Sequence, residues 1–134
     1  MPGGGSRHPT TRETVDARMH FAKMKGNEVF KVAVRLFVDC AERILARNGF
    51  TADDVNLFIP HQANLRIIEA AAKRVNLPMD RVFVNVDRYG NTGAASVYVA
   101  LAEAVTGGRL KRGDLVLIVA FGGGFAWGAA LMRW

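Results

Sequence analysis

Val55-Asn56-Leu57-Phe58-Ile59-Pro60-His61-Gln62-Ala63-Asn64-Leu65-Arg66 passes from an apolar run through a proline into a polar turn and then into a helix. Residues 55–59 are too few for a helix and are ended by Pro60, so they read as a buried strand. A helix is predicted over 64–76, with Leu65, Ile68, Ala71, Ala72 and Val75 facing inward and Leu77-Pro78 closing it. A strand that feeds a helix through a short polar turn is the building unit of an α/β layer.

The same alternation continues on both sides. Downstream, 81–86 reads as a second strand, Tyr89-Gly90-Asn91-Thr92-Gly93 as a turn, and 94–105 as a small-residue helix stopped by Gly107-Gly108. Residues 115–121 and 125–134 read as two further strands, broken by Gly122-Gly123-Gly124. Upstream, Asn27 is placed to cap a helix, with Glu28 in the first turn where the helix dipole favours an anion. Phe30, Ala33, Val34, Phe37, Ala41, Ile44 and Leu45 recur at helical spacing, and Val29, Val32, Leu36 and Cys40 form a second stripe. A helix so apolar is expected to be mostly enclosed, and Gly49 is its natural stop. The order helix–β–α–β–α–β–β predicts an α/β fold, a layered mixed sheet with packed helices. Residues 1–26, rich in Gly, Thr and charge, read as a lead-in loop, and 27–134 as the folded domain.

Composition bounds the function. The 134 residues suit one domain, half of them are apolar and 22% are charged, as in a globular protein. Eighteen Lys and Arg against 12 Asp and Glu give net +6, which suits nucleic acid, an acidic protein or a phosphorylated ligand. The single cysteine, Cys40, excludes an internal disulfide and a multi-cysteine zinc site. No apolar run approaches the roughly 18 residues of a membrane span, and residues 1–13 carry no apolar signal segment. A reducing cytoplasm is the expected compartment.

Three loops sit at strand ends or helix starts, where ligands gather in α/β sheets. His61, between strand and helix, is placed to donate a hydrogen bond or move a proton; the bland alternative is a histidine that only braces the turn. Asn91 is either a plain turn asparagine or a neutral amide donor for a developing oxyanion. Gly122-Gly123-Gly124 is either a tight hairpin or a backbone cradle. It fits neither the dinucleotide fingerprint nor the phosphate loop, because the required downstream Gly and Gly-Lys-Ser/Thr are missing. Cys40 lies mid-helix on an apolar stripe, the setting of an inert thiol. Arg66, Lys73 and Arg74 share a helix face and Lys31 adds charge nearby, yet no aromatics interleave as single-strand nucleic-acid binding requires. His61 has no companions at metal-ligand spacing, so no metal is expected.

Met24-Lys25-Gly26-Asn27-Glu28-Val29-Phe30-Lys31, residues 59–66, Asp87-Arg88-Tyr89-Gly90-Asn91-Thr92 and Phe121-Gly122-Gly123-Gly124-Phe125-Ala126-Trp127-Gly128 together resemble the β-ketoacyl-acyl carrier protein synthase III family. The resemblance runs over nearly the whole chain and implies the C-terminal half of a thiolase-like fold. Such enzymes condense an acyl-CoA primer with malonyl-carrier protein, releasing CO2, with no cofactor. The resemblance implies His61 and Asn91 as catalytic residues and Gly123 as an oxyanion-hole N–H. It places Gly26, Asn27, Phe30, Ala63 and Asn64 along the CoA arm. It assigns Gln62, Ala63, Asn64, Leu65 and Arg66 to carrier-protein binding, with Lys31, Lys73 and Arg74 as helpers. The acyl-bearing cysteine of the family lies in an N-terminal half that Cys40 does not match, and Gly93 stands where the family often has Ser. The implied partners are acyl carrier protein, acyl-CoA, that N-terminal half and a second copy in a homodimer, with no nucleic acid or membrane. A non-catalytic carrier- or CoA-binding module is the alternative.

Overall fold

A computed structural model describes residues 2–134. The elements in order are α1 (Arg12–Asp16), α2 (Gly26–Arg47), β1 (Leu57–Pro60), α3 (Leu65–Arg74), α4 (Val86–Tyr89), α5 (Ala95–Thr106), β2 (Leu115–Gly122) and β3 (Ala126–Arg133), with single 3-10 turns at Ala52–Asp54 and Met79–Arg81. The strands form one mixed sheet in the order β1-β2-β3. β1 runs parallel to β2, with Leu57 opposite Val116 and Pro60 opposite Val119. β2 runs antiparallel to β3, from Leu115 opposite Arg133 to Gly122 opposite Ala126.

Alternation along the strands builds a core on each face of this sheet. Phe58, Leu117 and Val119 meet Ala33, Phe37 and Ala41 of α2 and Ile68, Ala71 and Ala72 of α3. Leu57, Ile59 and Val116 meet Val97, Ala100 and Ala104 of α5 on the opposite side. The result is a helix–sheet–helix layering, as the element order predicts. No helix among the described residues is long and apolar enough to cross a membrane.

Several local expectations are corrected. Asn27 does not cap α2: the helix begins at Gly26, Lys25 occupies the cap position without a side-chain bond, and Lys25 instead pairs with Glu28 at 3.4 Å. The lead-in is not all loop, because Thr11 caps α1 and bonds the backbone N–H of Thr14 at 3.2 Å. The predicted strand over 81–86 makes only one parallel bridge, Val82 to Phe58. Its ladder stops because the Gln62 side chain takes the N–H groups of Asn85 and Val86 that a neighbouring strand would need. Leu65, expected inward, is 43% exposed, and Ile67 is buried instead. The second stripe of α2 is open at Val29, Val32 and Cys40, which are half-buried.

Candidate active site

His61 is placed by the sheet. Its N–H continues the β1–β2 ladder one residue past Pro60, donating to Val119 O at 2.7 Å. The ring is buried, 6% exposed, and stands edge-on to Phe121 with centroids 5.8 Å apart. Phe121 in turn packs on Phe37 of α2 and stacks on Phe125, so an aromatic wedge from β2 flanks the imidazole. Burial pushes the His61 pKa below its usual value, and no carboxylate counters that effect. The ring is therefore neutral at neutral pH. Its Nδ1 lies 2.5 Å from Ser96 Oγ, at the start of α5. Sequence reasoning passed over Ser96, whose only signal is a polar residue on the buried face of an apolar helix.

Gln62 explains how the next loop is held. It is 1% exposed, and its amide donates to Pro60 O at 2.8 Å and to Phe83 O at 3.1 Å. Its Oε1 accepts from the N–H groups of Asn85 and Val86 at 2.9 and 3.2 Å. Every polar group of the side chain is spent on backbone, so Gln62 is scaffold and leaves the exposed carrier-facing set. From Asn85 the chain turns through α4. Glu103 of α5 collects Asn85 Nδ2, Arg88 and Tyr89 OH at 2.7, 2.5 and 2.8 Å. These hydrogen bonds, that from Asn85 first, hold the Glu103 carboxyl below the usual carboxylate range. Gly90 ends α4 at φ 65° and ψ −162°, backbone that only glycine adopts readily. Asn91 follows, its Oδ1 accepting the Gly93 N–H at 3.0 Å. That turn leaves the Asn91 NH2 without a partner among the described residues.

His61, Asn91 and Gly122-Gly123-Gly124 line one open cavity of about 1080 Å³, which Met24, Glu28, Val29 and Val32 also line. Gly123 lies in the hairpin loop between β2 and β3, and its N–H makes no backbone hydrogen bond among the described residues. At Gly124 φ is +142° and a Cβ would come within 3.1 Å of Ala126 N, so the tight return needs glycine there. The loop is thus a hairpin and a cavity wall at once.

None of the remaining expected residues lines the cavity. Gly26 and Asn27 open α2, exposed and beside the cavity-lining Lys25 and Glu28, but do not line the cavity themselves. Phe30 and Arg66 meet, the guanidinium 5.9 Å from the ring centroid, joining the starts of α2 and α3. Ala63 is half-buried, Asn64 caps α3 by accepting the Arg66 N–H at 2.9 Å, and Leu65 is exposed. Lys73 and Arg74 occupy the far end of α3, about 11 Å from Arg66 along the helix. Lys31, Arg66, Lys73 and Arg74 are all exposed and make no ion pair among the described residues. Cys40 is half-buried further along α2, in a smaller recess beside Trp127, Gly128 and Ala129, with its thiol pKa raised by burial and by Asp39, and does not line the cavity. No cluster of metal-ligating side chains occurs among the described residues.

A mixed sheet with helices on both faces, carrying a buried histidine and a turn asparagine at one end, is one half of a thiolase-like fold. The family described as "3-Oxoacyl-[acyl-carrier-protein (ACP)] synthase III C terminal" matches residues 45–134, and the chain belongs to it. It is 52% identical over 134 residues to beta-ketoacyl-[acyl-carrier-protein] synthase III of Desulfitobacterium hafniense and 49% identical to that of Syntrophomonas wolfei. All of this chain is covered in both comparisons but only 40% of each relative, so the chain spans well under half their length. The crystal structure of 3-oxoacyl-[acyl-carrier-protein] synthase III from Aquifex aeolicus VF5 superposes with a TM-score of 0.83 at 52% identity, covering 84% of this chain and 36% of that one. Another 3-oxoacyl-(acyl-carrier-protein) synthase III structure matches 99% of this chain and 42% of its own, with a TM-score of 0.91 at 26% identity.

Proposed function

We propose that this chain is the C-terminal half of a cytoplasmic condensing enzyme that joins an acyl-CoA primer to malonyl-carrier protein. The observation that carries the reading is a buried, neutral His61 sharing one cavity with Asn91 and the Gly123 loop. Loss of CO2 from a malonyl thioester leaves the electron pair of the broken C–C bond as an enolate, its negative charge on the thioester oxygen. Two neutral donors, the His61 ring N–H and the Asn91 amide, stabilise that oxygen without protonating the carbanion. The carbanion then attacks an acyl thioester held on a cysteine of the other half. The Gly123 N–H supplies one donor for the tetrahedral oxyanion of this step, and the cysteine leaves as thiolate. The scheme needs no resident cofactor.

Gly26, Asn27, Phe30, Ala63 and Asn64 are the positions along which the CoA or carrier arm runs. Arg66, with Lys31, Lys73 and Arg74, presents exposed positive charge to an acidic carrier protein. The exposed apolar side chains of α5 and β3 are the surface the N-terminal half covers, within a homodimer of complete enzymes. Cys40 lies outside the cavity, so the chain by itself carries no acyl nucleophile.

The test is reconstitution. Supplied with an N-terminal half bearing the reactive cysteine, the chain should convert acetyl-CoA and malonyl-carrier protein to a β-ketoacyl product and CO2. Alone with labelled acetyl-CoA it should remain unacylated by mass. Stoichiometric label on Cys40 would overturn the assignment. Tight carrier binding by the chain, with no condensation in the reconstituted enzyme, would favour a non-catalytic binding module.

A further inference from the structure

Among the described residues Ser96 is the one hydroxyl hydrogen-bonded to the His61 ring, and the mechanism above gives it no role. It is 2% exposed, near the start of α5. Its Oγ lies 2.5 Å from His61 Nδ1 and accepts the Gln62 N–H at 3.2 Å. A serine hydroxyl offers one proton and two lone pairs, and a neutral imidazole carries its proton on one nitrogen only. The Gln62 N–H occupies one lone pair. If His61 carried its proton on Nδ1, that proton would take the second lone pair. The Ser96 proton would then have no acceptor among the described residues, in a site closed to water. An unmet buried donor carries the full cost of its lost hydration. The reverse arrangement satisfies every group: Ser96 O–H donates to Nδ1, and the imidazole proton sits on Nε2. Nε2 has no hydrogen-bond partner, and no buried side-chain nitrogen or oxygen is left unpartnered among the described residues, so Nε2 opens onto the cavity.

We propose that Ser96 is a positioning residue that locks His61 as the Nε2–H tautomer, so that the ring presents a donor, not a lone pair, to the cavity. This deepens the reading of His61 as an enolate-stabilising donor and rests on it. With the proton on Nδ1, the cavity would face a bare nitrogen that repels an oxyanion and instead takes up protons. The strand end supplies the Gln62 N–H, α5 supplies the hydroxyl, and the relay between them fixes the chemistry of the ring.

The direct test is nitrogen NMR of ¹⁵N-histidine-labelled complete enzyme at a pH where His61 is neutral, its signals identified by their loss in His61→Asn. The expected result is a protonated, pyrrole-type Nε2 and a bare, hydrogen-bonded Nδ1. A protonated Nδ1 overturns the proposal without any variant being made. In Ser96→Ala the Nδ1 signal should move toward that of an unbonded pyridine-type nitrogen. Decarboxylation of malonyl-CoA should lose about tenfold in kcat with KM little changed. Ser96→Thr, which restores the hydroxyl, should return both readouts, and its behaviour decides the matter if Ser96→Ala does not fold. An unmoved Nδ1 signal in a folded Ser96→Ala, or no recovery in a folded Ser96→Thr, overturns the proposal. If the wild-type enzyme shows the expected tautomer yet never decarboxylates malonyl-CoA, the proposed function fails while the tautomer assignment stands.

Discussion

Replacing Gln62 with Leu keeps the volume and removes one buried amide, and the structure gives the size of the effect. Four contacts vanish: two donated by Nε2 to Pro60 O and Phe83 O, and two accepted by Oε1 from Asn85 and Val86. Neither N–H has another acceptor among the described residues. A buried donor left unpaired costs about 1–3 kcal/mol, so the pair costs about 2–6 kcal/mol. Asn85 is fully enclosed while Val86 is only half-buried and can reach water, which sets the expectation near 3 kcal/mol. The loss is local, since the orphaned groups lie where the chain turns toward Asn91. Amide hydrogen exchange therefore reads it better than a global melt. The amides of Arg88, Tyr89 and Gly90, bonded to Asn85 O and Val86 O, are the probes. At about 1.4 kcal/mol per factor of ten, they should exchange about 10²-fold faster in Gln62→Leu, with α2 little affected. A change below about threefold at these amides, or equal loss of protection throughout the chain, would refute the view that Gln62 clasps this turn.

Three further outcomes follow from the same geometry. Arg66→Ala should raise the KM for malonyl-carrier protein several-fold, leave kcat nearly unchanged, and lose its defect with malonyl-CoA; a fall in kcat with both substrates would move Arg66 into the active site. The chain alone should associate at micromolar concentration, because Tyr98, Val105, Phe125 and Trp127 are exposed on α5 and around the β3 hairpin; a sharply monomeric sedimentation profile with cooperative melting would contradict this. Glu103 binds fewer protons folded than unfolded, so its contribution is present above the ordinary carboxylate pKa and is lost as pH falls through the depressed folded value. Protection of the Arg88–Gly90 amides should therefore weaken on acidification, and Glu103→Gln should remove that dependence; an unchanged acid response in the variant would refute the role of Glu103.

What the sequence made legible follows from where the information is local. The 64–76 helix, the two C-terminal strands and the strand ending in Pro60 carry their own periodicity and stops, and all four form within a few residues of expectation. The 81–86 segment misled because its apolar residues favour a strand while its ladder groups are claimed by Gln62, a side chain some twenty residues away. Leu65 misled because helical phase alone cannot say where the packing surface ends. For the site, the Asn91 turn and the glycine loop were readable as loops, but their meeting with His61 is a property of the fold. The family resemblance, not spacing, supplied that pairing. Ser96 and the burial of Gln62 were invisible for the same reason: each gains its meaning from a partner distant in sequence.

The central claim is that His61 and Asn91 serve decarboxylation, while backbone N–H groups including Gly123 serve acyl transfer. Measuring both half-reactions in the reconstituted enzyme tests it most directly, with acylation by acetyl-CoA followed by mass and CO2 release from malonyl-carrier protein followed by label. His61→Ala and Asn91→Ala should each slow CO2 release by about 10²–10³, the cost of one lost oxyanion donor, and slow acylation far less. Equal slowing of the two half-reactions would contradict the account.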